Sequence, residues 1–506
     1  MSRGFVAALM WLTALTVVAT VSTRAQQSAA VTQLVIVVDG LRPDYVTPEV
    51  MPRLFGLGQR GVVFRAHHAV FPTVTRVNAS SFVTGVYPEG HGLLGNTIYV
   101  PSANRTGGLD TGRRENLESV ARTEGQLLST PTLAEILRRE GKTFLAVSSG
   151  STGSSFLLNP TVPPGGAIIQ TDYTLPAALA ARVLERLGPV PPHAIPNAAQ
   201  NQRAIDAYLK IGLDELHPDV TFMWINDPDE TAHRRGIGSD LTRQALSLVD
   251  GGIGRIEDTL RARGLLDRTN ILVTSDHGFS THTGTLKLET LVEPFAKSLP
   301  DGSKDIVVAE RAIHFRTPDP GRIAALVAAL QRRPEVGAIF TKAIRRGDAE
   351  GAVPGTLSLD VARWNHARSG DILVSANWTD EANAAGIKGM TTQGGVAGHG
   401  TSSPYDIHNT LIAAGPAFRE HATSDAPTGN VDLAPTLLSL LGIRVPPTMT
   451  GRVMEEAMRK QAAQPSIAVS RTTETVKAPD GSYELTANLS VFAGRRYLDF
   501  TQVKRK

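Results

Sequence analysis

The chain of 506 residues carries 51 Lys and Arg against 48 Asp and Glu, a net charge of +3, and it has no cysteine. So small a surplus gives no argument for nucleic acid or an anionic membrane as a partner, and the missing thiols exclude disulfides, thiolate metal sites and a cysteine nucleophile. The length allows one large α/β unit with insertions or several domains, and any metal must be held by imidazoles and carboxylates.

Residues 1–25, MSRGFVAALMWLTALTVVATVSTRA, have one early Arg, an apolar run from Phe5 to Val21 and small residues near the end. That is the layout of a secretory signal cut after Ala25. An uncleaved membrane anchor is the competing reading. Either way the body is expected outside the cytoplasm, periplasmic or secreted, with no stable membrane partner unless the leader stays attached.

Beyond the leader, β-branched runs alternate with helical patterns. LVIVVDG (34–40), TFLAVSSG (143–150), DVTFMWIND (219–227), NILVTSDHG (270–278) and TLIAAGP (410–416) read as parallel strands of a buried sheet. Residues 132–141, 241–264 and 431–442 read as helices. The alternation predicts an α/β core with a mostly parallel central sheet between helices, in two parts, 26–281 and 390–465. Residues 282–389 break the rhythm and are read as an inserted cap domain, and 466–506 turn to strict alternation about a Pro-Asp-Gly turn, predicting a β-rich C-terminal appendage.

In parallel sheets functional groups gather at the carboxyl ends of the strands. Asp39, Asp229, Asp276 and His277 stand at or just past such ends, His233 follows Asp229 by one helical turn, and His399 lies in GGVAGHGTS. Three carboxylates and three imidazoles suit zinc best, with manganese and iron next. Six donors exceed what a closed structural zinc uses, so the set predicts two divalent ions with open positions beside a hydroxyl. The stretch FPTVTRVNASSFVTG (71–85) offers that hydroxyl. Thr75, at an apparent helix start, is either a capping residue or the group that reacts. His91, His282 and His408 fall outside this pattern and are read as supporting or structural side chains.

Taken in order, these motifs resemble the alkaline phosphatase superfamily and, within it, the type I phosphodiesterase and nucleotide pyrophosphatase branch, over residues 34–416 apart from the cap. The resemblance implies an alkaline-phosphatase-like core in which Asp39, Thr75, Asp276 and His277 hold one metal and Asp229, His233 and His399 the other. It makes Thr75 the nucleophile that becomes a phosphothreonine, and gives the amide of Asn96, in HGLLGN, a non-bridging phosphate oxygen. The implied partner is a small phosphoester or pyrophosphate, and no specific nucleic-acid binding is expected.

Relatives that share the Thr and Asn but act on monoesters or phosphonates carry a Lys-rich motif after the strand corresponding to TFLAV. This chain has SSGSTGSSF there, so a diester or pyrophosphate is expected. A phosphomonoesterase or phosphonate hydrolase is the enzyme alternative, and a metal-stabilised extracellular binding protein without activity is the alternative of another class. Arg76 replaces the aromatic residue common after the nucleophile, and is read either as a solvated helix residue or as a group that stacks on a ring or bonds a phosphate. Trp224, five residues before Asp229, is expected as a stacking platform, against its reading as core. Residues 97–120 are expected to form a lid loop.

Overall fold

Nine strands form the central sheet of the computed structural model, which describes residues 31–459 and 468–506. The leader expected over 1–25 lies outside the described residues. Five strands at the middle run parallel, in the order Gly166–Gln170, Phe144–Ser148, Val220–Ile225, Thr32–Val38 and Thr269–Thr274. They are buried almost throughout, which is why they read as unbroken apolar runs. Successive side chains leave opposite faces of the sheet, so Val35 and Val37 enter one apolar cluster and Leu34, Ile36 and Val38 the other.

Leu411–Ala414 pairs with Thr269–Thr274 in antiparallel sense, not parallel as its sequence suggested. A four-residue apolar run carries no mark of direction, because direction is set by the connection that delivers the strand. Val62–Phe64 and Ala422–Ser424 complete that edge, and Thr174–Leu175 closes the other.

The three expected helices are present. Leu133–Arg139 starts on a capping box in which Thr132 and Glu135 satisfy each other's backbone N–H groups, Asp240–Ala262 starts on the hydroxyl of Ser239, and Leu433–Leu440 packs in the core. Half of the expected lid is regular structure: Thr97–Ile98 pairs with Leu109–Asp110, and Arg114–Glu124 is a helix. Among the described residues no helix is long and apolar enough to cross a membrane.

Within 282–389, Ile306–Ala309, Ala312–Phe315, Ile372–Ala376, Val336–Thr341 and Leu357–Ser358 form a second sheet, in that order. The two ends of the segment meet, since Ser280–Leu286 pairs with both Lys388–Gln393 and Ala397–Gly398. The C-terminal strands Ser470–Lys477, Tyr483–Phe492 and Arg495–Arg505 form an antiparallel sheet. It is tied on by the Tyr483 hydroxyl, which donates to the Gly337 carbonyl at 2.8 Å, and by the Trp378 indole, which donates to the Thr501 carbonyl at 2.6 Å.

Helix Thr75–Thr84 is fixed from within by the fully buried Asn78. Its amide oxygen accepts from the Val70 N–H at 2.7 Å and the Asn430 amide at 2.8 Å, and its NH2 donates to the carbonyls of Val70 and Val74 at 3.1 Å. Asn430 donates equally to the Asp276 carbonyl at 2.8 Å, so the same pair joins this helix to the end of a central strand. Each buried group left without a partner costs about 1–3 kcal/mol, so Asn78→Ala should lower stability by at least about 3 kcal/mol in urea unfolding. A loss below about 1 kcal/mol would show that this network does not fix the helix.

Candidate functional site

Three neighbouring strands end in the carboxylates singled out in the sequence. Asp39 follows Thr32–Val38, Asp276 follows Thr269–Thr274, and Asp229 starts the helix Asp229–Arg235 beyond Val220–Ile225. Gly40 makes the turn after Asp39 at φ +71°, and its N–H donates to Asp276 Oδ1 at 3.1 Å. A Cβ at Gly40 would stand 3.0 Å from the Phe279 ring and 3.2 Å from the Asp229 Cβ, so both backbone conformation and space call for glycine. His233 lies one turn along from Asp229, and His399 leaves the short strand Ala397–Gly398.

The imidazoles share one orientation. Nδ1 of His233, His277 and His399 lies 2.9, 2.9 and 2.8 Å from the carbonyls of Ala397, Gly278 and Thr73. A carbonyl only accepts, so each Nδ1 carries the hydrogen and each Nε2 is turned to the carboxylates. Nε2 of His233 and of His399 stand 3.3 and 3.4 Å from Asp229 Oδ1, and Nε2 of His277 stands 3.0 Å from Asp276 Oδ2 and 3.6 Å from Asp39 Oδ1. The rings of His277 and His399 stack at 3.4 Å.

Burial and the neighbouring Asp276 and Asp229 push the Asp39 carboxyl well above its usual range. Burial also acts on Asp229, but the imidazoles of His233, His399 and His277 outweigh it and hold that carboxyl low. Burial and the adjacent His277 keep His399 well below the ordinary imidazole value.

Asp39 Oδ1, Asp229 Oδ1 and Asp276 Oδ2 are buried with no hydrogen-bond partner. Ligand atoms of Asp229, His233 and His399 lie within 4.8 Å of one another, as do those of Asp39, Asp229 and His277. Three orphaned carboxyl oxygens facing three imidazole Nε2 atoms fit divalent cations, and carbonyls that accept from Nδ1 in this way orient metal-binding histidines.

Thr75 is the first residue of its helix, with Val74 at the N-cap and no side-chain capping bond. The capping reading therefore fails, and the Thr75 hydroxyl is free to face His277, whose Nε2 is 3.4 Å away. Asn96 sits opposite: its side-chain oxygen accepts from the Arg76 N–H at 3.1 Å, and its own N–H donates to Glu310 Oε2 at 2.7 Å. Its side-chain NH2 has no protein partner among the described residues. Arg76 is partly exposed and pairs only loosely with Asp110, at 4.0 Å. Gly112 leaves room for its guanidinium, since a Cβ there would come within 2.2 Å of Nη2.

Trp224 is not a stacking platform. It is fully buried, and its indole N–H donates to Asp39 Oδ2 at 2.9 Å. A strand residue pointing into the sheet's apolar face offers no surface to a ligand, but its one polar atom reaches the carboxylate at the neighbouring strand's end.

Asp39, Thr75, Arg76, Asp229 and His233 open on a cleft of about 550 Å³ whose walls, among the described residues, hold no Phe, Tyr or Trp. Ser149, Ser154, Gln170 and Asn226 line it instead, together with Glu230, which accepts from Asn226 and from His193 Nε2 at 2.6 and 2.8 Å. The strand-end position of Ser149 and Asn226 was a usable signal. Glu310, which enters from the second sheet's hairpin, had none.

Residues 33–397 match the family model for type I phosphodiesterase / nucleotide pyrophosphatase. Venom phosphodiesterase of Naja atra is 26% identical over 242 residues, 47% of this chain and 25% of that protein. Ectonucleotide pyrophosphatase/phosphodiesterase family member 3 of Bos taurus is 26% identical over 260 residues, 51% of this chain and 26% of that protein. This chain thus spans about a quarter of the length of these relatives. An inactive murine ectonucleotide pyrophosphatase/phosphodiesterase 5 in complex with AMP superposes with a TM-score of 0.61 at 19% identity, covering 85% of this chain and 100% of that one, a likeness of fold. With a match running through most of its length, and Asp39, Asp229, His233, Asp276 and His277 within it, the chain belongs to the type I phosphodiesterase/nucleotide pyrophosphatase family.

Proposed function

We propose that this protein hydrolyses phosphodiester or pyrophosphate bonds of small substrates, with Thr75 as the nucleophile. The observation that carries the reading is the Thr75 hydroxyl, uncapped at a helix start and 3.4 Å from His277 Nε2, beside three carboxylate oxygens that have no hydrogen-bond partner. Asp39, Asp276 and His277 with Thr75 would hold one divalent cation, and Asp229, His233 and His399 a second. Bound there, two such cations, zinc by donor type, supply the positive charge that makes a threonine hydroxyl nucleophilic and steadies the attacking and leaving oxygens.

In this reading Thr75 Oγ bonds to phosphorus, the bond from phosphorus to the leaving oxygen breaks, and the product is a phosphothreonine. Water then attacks the same phosphorus, the Thr75 Oγ–phosphorus bond breaks, and the hydroxyl is restored. The Asn96 NH2 holds a non-bridging oxygen, and the positive end of helix Thr75–Thr84 favours the anion in the same place. The cleft adds little further cationic charge: Arg234 is paired with Glu230, leaving Arg76 as the guanidinium beside Thr75. One loosely paired cation matches the single charge of a diester better than the double charge of a monoester. The same reading takes 282–389 as a cap over the core and 466–506 as an appendage. It also takes the chain as exported, in keeping with relatives named for venom and as an ectoenzyme.

Thr75→Ala should leave a folded, metal-loaded protein whose turnover of bis(4-nitrophenyl) phosphate is lower by roughly 10³-fold or more. Retained turnover would remove Thr75 from the mechanism. The unaltered protein should turn over that diester faster than 4-nitrophenyl phosphate, and the reverse order would favour the monoesterase. Trp224→Phe keeps the buried ring but deletes the hydrogen bond to Asp39, and supporting bonds of this kind are worth about 10–100-fold in metal affinity. Competition with a chromophoric chelator should show zinc bound more weakly by about that factor, and unchanged affinity would make Trp224 a packing residue only.

A further inference from the structure

A second gathering of imidazoles and a carboxylate lies apart from these residues. His68 ends the two-residue strand His67–His68, His408 follows the short helix Pro404–Ile407 and forms an isolated β-bridge with His68, and Asp499 belongs to the last strand, Arg495–Arg505. Far apart in sequence, they bring one ligand atom each within 4.8 Å of the other two.

His68 and Asp499 are held as ligands are held. His68 Nδ1 lies 2.8 Å from the Thr428 carbonyl, so it bears the hydrogen, and Nε2 is turned to Asp499 Oδ1 at 2.8 Å. This is the orientation of His233, His277 and His399. Asp499 is the extra residue of a β-bulge: Asn488 pairs with Phe500 and Leu489 with Leu498, leaving Asp499 with no residue opposite. Bulges re-aim a side chain. The other oxygen, Oδ2, accepts from the Ser490 hydroxyl at 2.9 Å, which fixes the carboxylate and leaves Oδ1 to the cluster. The His408 ring lies 4.6 Å from that of His68, tilted by 52°, while Tyr497 stacks against His68 at 5.5 Å. A single His–Asp hydrogen bond needs no second imidazole beside it.

We infer that His68, His408 and Asp499 form a binding site for one divalent cation, zinc by its donors, that clasps the C-terminal strands to the core. Two imidazoles and a carboxylate are a zinc donor set, with water in the fourth position. His408 and Asp499 lie beyond residues 33–397, the span of the family match.

The test is the zinc content of the full chain by plasma mass spectrometry, after zinc loading and gel filtration, for the unaltered protein, Asp499→Asn and His408→Gln. Each variant should carry about one zinc fewer per chain and lose part of the zinc-dependent rise in melting temperature. His408→Gln keeps the His68–Asp499 hydrogen bond, so it separates a metal site from a simple pair and decides the matter alone if Asp499→Asn does not fold. Equal zinc content in His408→Gln and the unaltered protein would overturn the site. The readout is a difference between proteins that keep every residue around Thr75, so it does not depend on how many ions that centre holds.

Discussion

The structure turns on three carboxylates forced together out of water. The strands Thr269–Thr274, Thr32–Val38 and Val220–Ile225 are immediate neighbours, and parallel strands lie about 4.8 Å apart. Thr32–Val38 lies between the other two, so Asp39 just past its end meets the carboxylates beyond both neighbours. Burying like charges so close costs several kcal/mol per ion unless opposite charge meets them. The imidazoles of His233, His277 and His399 meet part of it, and three oxygens still lack a partner. Such a deficit persists only in a frame rigid enough to impose it, and a buried, parallel sheet with helices on both faces is such a frame.

The frame extends beyond the sheet. Trp224 donates to Asp39, the Gly40 N–H donates to Asp276, and Asn430 joins the Asp276 carbonyl to Asn78 in the helix of Thr75. Asp406 accepts from Ser280 and from both the N–H and hydroxyl of Thr401, pinning the loop that carries His399. The hairpin of the second sheet adds Glu310 on the backbone N–H of Asn96 and Arg311 on the His399 carbonyl, at 2.7 and 3.2 Å. Segments on either side of residues 282–389 are thus joined by hydrogen bonds that orient the side chains around Thr75.

How much of this was legible follows from range. The strands, the capping box at Thr132 and the helix through 240–262 are written in local pattern, and they could be read. The strand-end positions of Asp39, Asp229 and Asp276 could be read as well, because parallel topology gives such positions a common edge. Trp224 was misjudged as a platform because its spacing from Asp229 fixes only its place on the strand. Which face it takes, and that its indole reaches Asp39, depend on the register with Thr32–Val38. Thr75 was ambiguous for a similar reason: a threonine at a helix start caps only from the residue before the first turn, and a one-residue difference decides it. Glu310 and Asp499 were beyond reach, one delivered by a hairpin and the other by a bulge, features that only pairing reveals.

The cleft's chemistry limits what the centre is suited to hold. A flat apolar ring gains most from the faces of Phe, Tyr or Trp, and the walls offer hydroxyls, amides, carboxylates and imidazoles in their place. Glu230, gripped by Asn226 and His193, lines the same cleft and disfavours a second negative charge nearby. Gly150 packs its backbone 3.0 Å, at a notional Cβ, from the buried Trp224 ring, so this wall cannot thicken to supply a missing platform. Under the proposed function, selection by this cleft would rest on its polar walls and on the guanidinium of Arg76, Arg234 being paired with Glu230, so that the charge of the phosphate, rather than an attached ring, would be the feature it reads.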